Sequence, residues 1–132
     1  MIARMLALAL VCAVAAPALA RDQARTERVQ FARGEYSTAL IGSVKGYETV
    51  NYLVGAKAGQ TLTVTLKTGN GSSYFNISAP GAEDALFVGS SSGNRYSGKL
   101  ASSGDYVVSV YLMRNAARRD ETARYTLTIG VR

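Results

Sequence analysis

This chain has no histidine, no tryptophan, two prolines and a single cysteine in 132 residues. Without histidine, Ser-His-Asp and Cys-His catalysis are excluded, together with most zinc sites. Cys12 is the lone thiol and lies in an apolar leader expected to be removed. What remains then has no thiol nucleophile, no iron–sulfur ligand and no disulfide. Neither G-x-x-x-x-G-K nor G-x-G-x-x-G occurs, so the usual phosphate-cradling loops are missing. Acidic residues are few, nine in all, and scattered. Glu83 and Asp84 are adjacent, and neighbours on an extended segment point to opposite faces. A glycosidase needs two carboxylates facing one cleft. Asn76, Glu83 and Asp84 are the only loose oxygen ligands, whereas calcium wants a close cluster. The reading is a non-enzymatic chain without cofactor or metal.

Long hydrophobic runs are absent too. The one apolar run, residues 5–16, is too short for a bilayer core of about 30 Å, which takes about 20 residues. It follows a short start carrying Arg4 and ends at Pro17, before Ala18-Leu19-Ala20. Charge, apolar run and A-x-A make a secretory signal peptide over residues 1–20, cut after Ala20. A membrane anchor or a lipidated Cys12 is the alternative, but Ala9-Leu10-Val11 lacks the small residue expected just ahead of a lipidated cysteine. Export places residues 21–132 in an oxidising compartment, as one domain held by its core alone. Without Arg4 the net charge falls from +6 to +5. That favours anionic partners: lipid headgroups, nucleic acid or an acidic cleft. The basic residues are dispersed, with no run of five like charges. The eight tyrosines are spread rather than clustered with them, so no base-stacking platform is read. The expectation is no nucleic acid and no membrane insertion. Nothing in the sequence sets an oligomeric state.

Residues 21–28 are charged and nearly devoid of apolar content, which predicts a frayed leader. Beyond them the period is two. Residues 61–66 alternate Thr with Leu, Val and Leu. Tyr106, Val108, Val110 and Leu112 form one face of a second strand, and Tyr125, Leu127, Ile129 and Val131 that of a third. Val50, Tyr52 and Val54 make a fourth. Weaker candidates are 29–33, 36–44, 74–79, 86–89 and 95–100. Gly- and Asn-rich turn signals separate them. The architecture predicted over residues 29–132 is an all-β, antiparallel β-sandwich of about eight strands. Residues 90–98 are the most polar stretch, a mobile loop or a poorly ordered edge strand. Helical periodicity is missing beyond one turn at 116–119.

The local cluster that stands out is residues 114–120, with arginines at 114, 118 and 119. Lying between two strong strands, it reads as a hairpin loop. Arginine makes forked hydrogen bonds to carboxylates and is enriched at binding hot spots. The loop either thrusts guanidinium groups into an acidic cleft or is a solvated connection at the sheet end.

Five segments resemble one family: F-A-R-G at 31–34, S-V-K-G-Y at 43–47, A-K-A-G-Q at 56–60, S-S-G-D-Y at 102–106 and R-N-A-A-R at 114–118. In order and spacing, over residues 31–132, they look like the periplasmic inhibitors of g-type lysozyme. A-K-A-G-Q and S-G-D-Y are shared with the wider group resembling bacterial pre-peptidase C-terminal domains, so they mark the fold more than the function. The resemblance implies a periplasmic β-sandwich that blocks a g-type lysozyme by inserting loops into its acidic substrate cleft. On the family's pattern Tyr47 corresponds to its inhibitory tyrosine, and Arg114 and Arg118 to its two inhibitory arginines. Residues 69–94 match weakly, and Arg119 is one arginine more than the pattern needs. Ser103-Gly104-Asp105-Tyr106 is one residue short of the Ser-Gly-x-x-Tyr motif of c-type lysozyme inhibitors and reads better as a glycine turn entering a strand. Lysozymes are often basic, so a net charge of +5 gives no long-range attraction and recognition must rest on local fit. The rival reading is a non-catalytic pre-peptidase-like module that binds a cell-envelope ligand or partner protein.

Overall fold

The structure is a computed structural model and describes residues 24–132. The expected signal peptide and its cleavage site lie outside them. The chain runs β1 (Ala24–Arg28), β2 (Ser37–Lys45), β3 (Thr49–Ala56), β4 (Thr61–Thr68), β5 (Ser73–Ser78), β6 (Ala85–Val88) and α1 (Gly89–Ser92). It continues through β7 (Arg95–Lys99), β8 (Gly104–Leu112), α2 (Arg114–Arg118) and β9 (Thr122–Val131). One sheet has the order β1-β3-β8-β5-β6, the other β2-β9-β4-β7. The two sheets form a sandwich.

Alternation builds the core. β3 turns Val50, Tyr52 and Val54 inward, β8 turns Tyr106, Val108, Val110 and Leu112, and β5 adds Phe75 and Ile77. The opposing sheet supplies Leu62, Val64 and Leu66 from β4, with Tyr125, Leu127, Ile129 and Val131 from β9. Every second residue of these strands is therefore removed from water, which is the main stabilisation available to a chain of this size. Two tyrosines bridge the sheets at their hydroxyls: Tyr52 and Tyr125 lie 2.7 Å apart. Burial pushes both above the ordinary tyrosine range, so both stay protonated near neutral pH. Gly42 makes room for the pair, since a Cβ there would lie 2.6 Å from the Tyr125 hydroxyl.

The N-terminal expectation is corrected. From Ala24 onward the leader is a ninth strand, β1, parallel to β3, whereas residues 29–33 form none. All five β1 residues are exposed, so it carries no apolar period. Backbone pairing and one fork order it. Arg28 Nη1 and Nη2 donate to Asp105 Oδ1 and Oδ2 at 3.0 and 2.7 Å. Asp105 stands on β8, two strands away, and the side chains meet over Gly55 of the intervening β3. Just past β1, Val29 is buried and its N–H donates to Leu53 O.

The polar stretch 90–98 resolves into α1 and the edge strand β7, paired antiparallel with β4. Tyr96 of β7 packs against Phe87, which stacks on Phe75 at 5.2 Å. This aromatic chain joins the two sheets and fixes the edge. Gly104 opens β8 at φ +139, where glycine is favoured, in keeping with a glycine turn at S-G-D-Y.

Candidate functional site

The arginine cluster is not a hairpin. β8 and β9 belong to different sheets, and α2 is the crossing between them. Its short helix is anchored by alanine: Ala116 and Ala117 are buried, and the Ala117 N–H donates to Met113 O at 2.9 Å. With the alanines turned inward, Arg114 and Arg118 are exposed one helical turn apart, on the same side of the helix.

Tyr47 lies in the turn joining β2 to β3. That turn is closed twice: Glu48 N–H donates to Lys45 O at 3.1 Å, and Lys45 N–H donates to the Glu48 carboxylate at 3.0 Å. Gly46 takes φ +59. Its N–H donates to Glu121 O at 2.9 Å. A Cβ at Gly46 would lie 2.8 Å from Asp120 Oδ1, the end of an exposed side chain that can swing aside, so it is the positive φ that demands glycine. Lys45 Nζ reaches the other Asp120 oxygen at 3.3 Å. Asp120 is itself left-handed, at φ +56. The tyrosine turn thus rests directly on the residues that end the arginine helix. Tyr47 is 48% exposed and shares a shallow depression with Glu48, Thr49, Tyr111, Leu112 and Arg114. The structure brings Tyr47, Arg114 and Arg118 to one end of the sandwich.

The third arginine differs from the other two. Arg119 donates from Nε to Glu121 Oε2 at 2.7 Å and also places Nη2 at 2.6 Å from that oxygen. The other Glu121 oxygen accepts from Asn70 Nδ2 at 3.1 Å. Asn70 belongs to the β4–β5 loop, which it also organises by accepting from Ser72 N–H at 2.9 Å. From that loop Ser72 O accepts the Met113 N–H at 2.9 Å, just ahead of α2. Asp120 stood out only as the end of the 114–120 cluster and Asn70 only as a turn residue, and nothing in the sequence tied Glu121 or Tyr111 to this site. Gly46 and Asn70 were visible as turn residues, but their partners are distant in the chain.

Charge is unevenly satisfied here. Glu48 closes its own turn, Asp120 faces Lys45, and Glu121 faces Arg119. Among the described residues, neither Arg114 nor Arg118 enters a salt bridge. Two exposed guanidinium groups beside a half-exposed phenol suit a partner rich in carboxylates. The described residues contain no group of three or more His, Cys, Asp or Glu positioned for a metal.

The Glu121 bridge has a consequence for acid stability. Hydrogen bonds from Arg119 and then Asn70 hold its carboxyl below the usual range, against a smaller opposing effect of burial. Since the folded value lies below the unfolded one, the stabilisation is complete above the unfolded value. It disappears as pH falls through the folded value. Wild type should melt above Glu121→Gln at neutral pH, and the gap should close as pH falls through the lowered range in which the folded carboxyl takes up its proton. A gap unchanged at acid pH contradicts a charge-dependent bridge.

No family model matches the chain. The inhibitor of g-type lysozyme of Escherichia coli (strain K12) is 30% identical over 112 residues, covering 79% of this chain and 79% of that protein. The crystal structure of a periplasmic lysozyme inhibitor of g-type lysozyme from Aeromonas hydrophila is similar at a TM-score of 0.77 and 39% identity. That match covers 85% of this chain and all of the other. The pre-peptidase C-terminal domain of a Bacillus anthracis collagenase is similar at a TM-score of 0.54 and 16% identity, over 85% of this chain and 97% of that one, a likeness of fold alone.

Proposed function

This chain belongs to the family of inhibitors of g-type lysozyme, and from that premise we propose that it inhibits a g-type lysozyme by occluding its acidic substrate cleft with Tyr47, Arg114 and Arg118. The observation that carries this reading is the junction of Gly46 with Asp120 and Glu121, which sets the tyrosine turn beside the arginine helix. The three side chains can therefore act in one interface. Arg114 and Arg118 provide forked donors to cleft carboxylates, while Tyr47 adds a stiff amphipathic anchor with few rotatable bonds. Arg119, engaged by Glu121, belongs to the scaffold.

Inhibition here is blockage without chemistry, in keeping with a chain that has no histidine and, past Cys12, no thiol. The protein acts in the periplasm, exported by residues 1–20 and cleaved after Ala20. It needs no cofactor. The test is protection of a peptidoglycan suspension from lysis by a g-type lysozyme, with c-type and i-type enzymes assayed alongside. Protection against the g-type enzyme is the expected result.

A further inference from the structure

The tyrosine turn and the arginine helix lie more than sixty residues apart in sequence, and neither makes a strong structure alone. The turn is a few residues long and the helix five, far below the length at which an isolated helix is stable. Their spacing must be set from outside. Glu121 is where the restraints converge. Its carbonyl holds the Gly46 N–H at 2.9 Å, and its own N–H donates to Ala116 O at 3.2 Å. Its carboxylate lies between Asn70 Nδ2 and the Arg119 guanidinium, at 3.1 and 2.7 Å. One residue thus touches the tyrosine turn, the helix, the residue capping the helix and the β4–β5 loop.

We propose that Glu121 is the positioning residue of this surface: its carboxylate, clamped between Asn70 and Arg119, fixes the peptide whose carbonyl carries the tyrosine turn, so that Tyr47, Arg114 and Arg118 are set at their working spacing before a partner arrives. The proposal rests on the reading of those three residues as the inhibitory contacts. A surface organised in advance loses less conformational freedom on binding, and the gain falls mainly in the dissociation rate. In this role Glu121 acts through Tyr47, Arg114 and Arg118, not through a contact of its own with the partner.

The experiment combines a binding cycle with amide exchange. Glu121→Ala should weaken binding to a g-type lysozyme by about tenfold, mostly through faster dissociation. In an Arg114→Ala, Arg118→Ala background the same change should cost clearly less than tenfold, because two of the three contacts it positions are gone. Glu121→Gln, which keeps an acceptor for Asn70, should recover part of the loss. In the free protein, Glu121→Ala should raise exchange at the Gly46 amide by about tenfold while the Val108 amide in the core stays protected. An equal loss of binding in both backgrounds overturns the positioning role, since a generally loosened fold would produce it. So does an unchanged Gly46 amide. Wild type that fails to bind the lysozyme, with Gly46 exchange accelerated in the variant, overturns the inhibitory reading while leaving the mechanical coupling intact.

Discussion

Replacing Arg114 and Arg118 together by alanine is expected to raise the concentration needed to inhibit a g-type lysozyme by between about a hundredfold and a thousandfold. A hot-spot arginine typically costs about 2 kcal/mol on truncation. Two such losses sum to about 4 kcal/mol, near a thousandfold. The lower bound reflects their shared helical face, since neighbours that meet one acidic cluster do not add independently. The fold should tolerate the change. Both side chains are exposed and stand outside every salt bridge among the described residues, so melting should shift by no more than about 0.5 kcal/mol of stability. A variant with intact melting that inhibits within about fivefold of wild type returns α2 to the status of a solvated connection.

The second large effect is on stability. Phe75 is completely buried on β5 and stacks on Phe87, which in turn meets Tyr96 from the opposite sheet. Phe75→Ala removes a ring from the place where the sheets are tied together and leaves a cavity that surrounding strands cannot close. The expected cost is about 3–5 kcal/mol, set against a total of about 5–15 kcal/mol for a domain of this kind. Without a disulfide in the described residues to restrain the unfolded chain, nothing else offsets that loss. Denaturant melts should show a midpoint displaced to match. A cost under about 1 kcal/mol would mean that the aromatic chain is peripheral to the core.

Where sequence and structure agree, alternating burial explains it. β3, β4, β8 and β9 each bury every second residue, and the same alternation is written in Val50-Tyr52-Val54 and Tyr125-Leu127-Ile129-Val131. β1 escaped because nothing in it is buried. Its order comes from backbone pairing and from a fork between residues 77 positions apart. β7 was half legible: Tyr96 marks an inward face, but the partner that steadies it, Phe87, lies in the other sheet. The resemblance pointed to Tyr47, Arg114 and Arg118 individually. What joins them was hidden, because Gly46 against Asp120 and Asn70 against Glu121 are long-range pairs of ordinary turn residues. Nor does a run reading Arg118-Arg119 distinguish an arginine open to a partner from one fastened to Glu121.

The most direct test of the account is the lysis assay run at several peptidoglycan concentrations, with g-type lysozyme and purified protein lacking residues 1–20. Cleft occlusion predicts protection at micromolar inhibitor or below, reaching completion near one inhibitor per enzyme and receding as peptidoglycan is raised. Undiminished lysis by the g-type enzyme at micromolar inhibitor, or protection that peptidoglycan does not relieve, contradicts it.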